Sequence, residues 1–265
     1  MRAATFWMLL GLLSWSAVAD EPVPPPAEAP QPVTMEALAG DWLLASYAEV
    51  LASTRSPLAA AGAAEPLGLS IRNNGSAREL IVTSFHESMR YELRGIDAGE
   101  RVGEATLVLV PAEPGEPPAE PERWRRVPAR LWRAGDGTLR LAAALWSSEP
   151  REEVYQRLPE PIAPWVNKLL LAGSYWDAQG RPWRFTSAGQ ATGLLGSFPY
   201  QVSLDISETD CDYFQTSDEK EPGGQRRVGF VRKGETLELF RIRYDRPAPI
   251  SCDAEAFAVL TPVKP

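Results

Sequence analysis

The side chains able to do chemistry are few and scattered. His86 is the single histidine of the 265-residue chain. It stands in Ser84-Phe85-His86-Glu87, beside a hydroxyl and a carboxylate, which are the parts of a nucleophilic hydrolase. Successive residues of a strand point to opposite faces, so these groups do not converge locally. His86 therefore reads as a polar residue at a strand edge, and a hydrolase would need distant partners that no motif marks. A second cluster is acidic: Asp205, Glu208, Asp210, Asp212, Asp218, Glu219 and Glu221. A calcium loop needs carboxylates at fixed spacing with a glycine at the turn. No glycine follows Asp210-Cys211-Asp212 closely, and the stretch reads as a solvated acidic loop. A third cluster is basic and aromatic, running from Arg123 to Arg133. Charge and stacking there suit an anion or a glycan. Trp124, Arg125, Arg126 and Trp132 are its candidate surface contacts. The plainer reading is a strand with arginines outward and Val127 and Leu131 inward. No phosphate loop, dinucleotide fingerprint, H-E-x-x-H helix or nucleophile elbow is present. No catalytic residue, metal ligand or cofactor is assigned.

The remaining reactive side chains are Cys211 and Cys252. Their setting follows from the N-terminus. Residues 1–19 read as a secretory signal: Arg2, an apolar run from Phe6 to Val18, and Ala17-Val18-Ala19 as a small-x-small cleavage site before Asp20. The apolar run is short for a bilayer span, and no second run is long enough. The expected location is periplasmic or secreted, with no transmembrane segment after cleavage. An even pair of cysteines in an oxidising compartment is expected to form a disulfide. Residues 20–33, DEPVPPPAEAPQPV, read as a Pro-rich linker.

What positions these residues is an internal repeat. Leu38-Ala39-Gly40-Asp41-Trp42 returns as Leu171-Ala172-Gly173-Ser174-Tyr175. Arg125-Arg126-Val127 returns as Arg226-Arg227-Val228, and Thr138-Leu139-Arg140-Leu141 as Thr236-Leu237-Glu238-Leu239. Further matches fall in the same order, which predicts two tandem copies, 34–161 and 162–265. Copy one carries two insertions of loop composition, near 53–66 and 110–122.

Within a copy the apolar period is mostly two. Copy two holds about eight short strands, at 173–178, 181–186, 190–196, 199–206, 212–214, 225–232, 235–243 and 255–262. There is no room for crossover helices, so the fold class is all-β. Each copy is expected to be an antiparallel, roughly eight-stranded meander barrel preceded by a short helix. A short helix followed by Gly40-Asp41-Trp42, and again by Gly173-Ser174-Tyr175, at the head of such a meander resembles the lipocalin-like, or calycin, group. The resemblance implies that Trp42 and Tyr175 close the barrel bottoms against an arginine from the last strands. Arg140 or Arg157 would serve in copy one, and Arg241 or Arg243 in copy two. It also implies binding of small apolar molecules or proteins.

The chain has 27 basic and 35 acidic residues, a formal charge of -8, which makes nucleic acid a poor partner. The function expected is a non-enzymatic binding protein that holds a small apolar or amphipathic ligand in a barrel. The alternative is an envelope protein–protein interaction module; a hydrolase is a distant third.

Overall fold

The computed structural model describes residues 34–61, 67–74, 77–84, 88–95, 103–110, 126–145, 148–204, 209–217, 225–243 and 251–264. The signal (1–19), the linker (20–33) and most of the second insertion (110–122) lie outside them. Among the described residues, no helix is long and apolar enough to cross a membrane.

Barrel one is closed by eight antiparallel strands in chain order. They are β1 (Gly40–Leu44), β2 (Gly68–Asn74), β3 (Ala77–Thr83), β4 (Ser88–Arg94), β5 (Gly103–Leu109), β6 (Arg126–Arg133), β7 (Leu139–Ala143) and β8 (Arg151–Arg157). The ring shuts where β1 pairs with β8, Trp42 opposite Arg157. The alternation written in β4 and β6 is the reason for the fold. Met89, Tyr91 and Leu93 are buried between exposed Ser88, Arg90 and Arg94, and Val127, Ala129 and Leu131 are buried between Arg126, Pro128 and Arg130.

Barrel two repeats the plan with β9 (Gly173–Asp177), β10 (Pro182–Phe185), β11 (Gln190–Gly193), β12 (Gly196–Val202), β13 (Tyr213–Ser217), β14 (Gln225–Lys233), β15 (Thr236–Arg243) and β17 (Ala258–Pro262). The two-residue β16 (Ser251–Cys252) hangs on the outer part of β15. β14 pairs with β15, β15 with β17 and β17 with β9, so this ring is closed too. Two tandem eight-stranded antiparallel barrels are thus the architecture, compatible with a calycin-like barrel. One expected turn is misplaced: the break lies at Leu194-Leu195, between paired Gly193 and Gly196, and residues 196–202 form one strand. Its inward set is Phe198, Tyr200 and Val202.

Each barrel is entered from a short helix, α1 (Met35–Leu38) before β1 and α4 (Ile162–Leu170) before β9. Thr34 caps α1, its hydroxyl accepting from the Ala37 amide at 3.1 Å. The described part of the first insertion, residues 53–61, is largely helical rather than a loop. α2 (Ala45–Thr54) starts directly after β1, and α3 (Pro57–Ala60) follows it. Alanine-rich sequence with Ser56 as N-cap and Pro57 at the first helical position favours this. Tyr47, Ala48 and Leu51 of α2 are buried. In barrel two the same connection is the tight turn Asp177–Gly180.

Candidate functional site

The Gly-x-aromatic motif sets the closed end of each barrel. Gly40 has φ +139, a conformation that side-chained residues rarely adopt, and a Cβ at Gly173 would press on the Tyr175 ring at 2.9–3.1 Å. Freed of that clash, the aromatic folds back on its own helix. Trp42 Nε1 donates to the Leu38 carbonyl at 2.9 Å, and the Tyr175 hydroxyl donates to the Leu171 carbonyl at 2.9 Å. A guanidinium then covers each ring. In barrel one it is Arg157, 5.7 Å from the Trp42 ring centre, with Nη2 donating to the Ala39 carbonyl at 2.9 Å. Arg140 lies elsewhere, on the outer face of β7, paired with Glu152 at 2.7 Å.

In barrel two the cation is Arg232 of β14, not Arg241 or Arg243. It sits 5.8 Å over the Tyr175 ring and donates from Nη1 to the Tyr175 hydroxyl at 2.8 Å and to the Leu170 carbonyl at 3.2 Å. The cause is register. Trp42 faces Arg157 across β1 and β8, whereas Tyr175 faces Pro262 across β9 and β17. The last strand offers no cation at that place, so β14 supplies it. Arg241 and Arg243 are exposed further along β15, and Arg243 pairs with Asp253 at 3.2 Å.

Both interiors are filled. Trp42, Leu69, Ile71, Leu80, Val82, Tyr91, Leu107, Leu131, Leu139 and Tyr155 of barrel one expose no surface to a water-sized sphere. Barrel two is packed with rings: Tyr175, Trp183, Phe185, Phe198, Tyr200, Phe214 and Phe230, with neighbouring centroids 5.4–6.5 Å apart. Gly193 is small because the Trp183 ring occupies the space a Cβ would need.

Cys211 and Cys252 form a disulfide. Gly229 lets it cross β14, since a Cβ there would meet Cys252 Sγ. The acidic stretch is not uniformly solvated. Asp212 is buried, and its Oδ1 accepts from the Leu58 amide of α3 at 2.6 Å. Ser56 also donates to it. Burial pushes the Asp212 carboxyl above its ordinary range, against the pull of the Ser56 and Leu58 hydrogen bonds. Burial, aided by the Asp212 charge, pushes the Tyr47 phenol up as well. Barrel two thus caps a helix that belongs to barrel one. Asp210 accepts from the Cys252 amide at 3.2 Å. Asp205, Glu208, Asp218, Glu219, Glu221, His86, Trp124 and Arg125 lie outside the described residues. Arg126 and Trp132 share the outer face of β6 but stand six residues apart, roughly 20 Å along the strand; Arg126 is exposed and Trp132 packs against the core.

Three concave surfaces lie on the outside of the barrels. A groove of about 630 Å³ on barrel two is lined by Trp176, Pro182, Arg184, Leu194 and Val263. Trp176 is 46% exposed, Leu194 50% and Val263 41%. Another of about 540 Å³ on barrel one runs between Arg94, Glu104, Pro128 and Arg130. A cleft of about 620 Å³ separates the two barrels, with α4 beneath it. No sequence motif marks any of the three hollows, because each is assembled from outward positions of several strands. Among the described residues no group of three or more His, Cys, Asp or Glu side chains is placed to hold a metal ion. Comparison with protein families, with curated proteins and with solved structures gives no match for this chain.

Proposed function

We propose that this chain is a periplasmic or secreted, non-enzymatic binding protein that meets its partner with the outside of its barrels. One observation carries this reading: the inward side chains fill both barrels, while Trp176, Leu194 and Val263 stand exposed along one groove of barrel two. A small apolar ligand inside a barrel needs an open interior of a few hundred cubic ångströms. The burial of the inward residues, none more than 9% exposed, supports the other reading, an interaction module for an envelope protein. The disulfide and the signal-like N-terminus support the location. The sequence resemblance to lipocalin-like proteins supports the barrel plan and a binding role.

The test places a photo-crosslinking amino acid at position 176 in the protein's own host. A discrete adduct with another protein, lost in L194D, is the expected result. Adducts no different from those at exposed Val50, together with a co-purifying apolar compound in native mass spectrometry, would overturn the reading in favour of an internal ligand.

A further inference from the structure

The cleft between the barrels has a chemistry of its own. Its barrel-two wall is a cross-strand row on the outer face: Gln201 opposite Gln215, and Gln215 opposite Arg227. The barrel-one wall brings Asp41, Ser70 and Arg72, then the hydroxyls of Thr83 and Ser88. Ile162, Val166 and Leu204 supply an apolar floor.

Charge is part of that chemistry. Both Asp41 oxygens receive Arg72 Nη2, at 2.8 and 3.1 Å, and Ser70 also donates to Asp41, so that pair is internally satisfied. Arg227 rests over the Tyr213 ring at 5.2 Å and makes no ion pair with any described residue. The lining therefore holds two guanidiniums and one carboxylate, 2 − 1 = +1, in a chain of formal charge -8. A half-buried, planar cation with flanking amides fits a carboxylate. Asn167 at the base of the cleft keeps its amide inside the fold. Its Nδ2 donates to the Ser187 carbonyl at 3.1 Å, which ties α4 to the β10–β11 turn.

We infer that the inter-barrel cleft binds the free C-terminal carboxylate of a peptide. The carboxylate pairs with Arg227. The adjacent peptide group hydrogen-bonds to Gln201 and Gln215, and an apolar terminal side chain rests on Ile162, Val166 and Leu204. A volume of about 620 Å³ suits two or three residues. The site is separate from the Trp176 groove, and neither reading depends on the other.

Isothermal titration of the whole chain with N-acetyl-Ala-Leu tests the assignment, beside the same peptide ending in a carboxamide. The acid is expected to bind, and the carboxamide to bind at least about tenfold more weakly, the loss of a charged hydrogen-bonded pair. R227Q should lose the acid to the same degree. R227K, which keeps charge but not the fork, and Q215A should lose less. W176A should bind as the wild type does. A third arm carries Ala-Leu at the C-terminus of a folded carrier. Binding of both forms assigns protein C-termini; binding of the free peptide alone assigns short peptides; each supports the site. Equal binding of acid and carboxamide, unchanged affinity in R227Q, or no heat from the acid at millimolar concentration would overturn it. Because Arg227 covers Tyr213, the Tm of every variant is recorded, and a folded Q215A that binds like the wild type counts against the inference by itself.

Discussion

Trp42 and Tyr175 hold equivalent places with different atoms: each sends one N–H or O–H back four residues to its own helix end and lies under a guanidinium. Arg232 makes two hydrogen bonds there, so R232A should cost about 2 kcal/mol of unfolding free energy. R241A should fall within about 0.5 kcal/mol of wild type, as exposed substitutions do. Urea denaturation of the two variants checks the contrast. The Gly-x-aromatic pair was legible in the sequence because glycine and ring are neighbours. Its arginine in barrel two was not, because the choice depends on which residue β17 sets opposite Tyr175, and that residue is Pro262. Asp212 was read as solvated because proximity to other acids is visible in a sequence and burial against α3, 154 residues away, is not. Its raised pKa has a definite consequence. The native chain keeps the Asp212 proton to a higher pH than the unfolded chain does. This contribution is complete below the ordinary aspartate value, near 4, and is lost as pH rises through the raised native value. Relative to D212N, the wild type should therefore lose stability on going from acid toward neutral pH. Thermal melts of both proteins across that window read the difference, and parallel curves would contradict it.

At the scale of elements, the strands of barrel two were largely legible, because single-residue alternation survives in sequences such as Thr236-Leu-Glu-Leu. The helices α2 and α3 were not. Their alanines and Pro57 suit helices, but a stretch inserted between strands reads as a loop, and the packing of Tyr47, Leu51 and Ala60 is what settles them as helices. The disulfide joins residues separated by 41 positions, tying the start of β13 to β16. On the chain-entropy model, C211S/C252S should lose about 4 kcal/mol, measured by denaturant unfolding without reductant. G229A should lose about 1–3 kcal/mol while the cysteines remain. Its new methyl would contend with Cys252 Sγ, Phe240 and Ile242 together. Combining G229A with C211A/C252A should restore part of the loss, since no γ atom then stands at position 252.

As a whole molecule, the chain joins two barrels through one contiguous core that includes residues of both, with Val166 and Leu170 of α4 buried at the seam. Chains of this size commonly unfold in parts. Here a single calorimetric transition is expected, with calorimetric and van't Hoff enthalpies in agreement; two resolved transitions would show that the seam is weak. The duplication was legible in the sequence, but the seam was not, since nothing in either copy alone marks the outward residues that meet. The cap on α3 has a further meaning in time. A polypeptide is made from its N-terminus, and synthesis at about 5–20 residues per second puts on the order of ten seconds between Leu58 and a residue 154 positions later. The first barrel is made first, yet one of its contacts must await the second. Its helix waits for Asp212, and Asp212 is held beside a cysteine whose partner emerges later still.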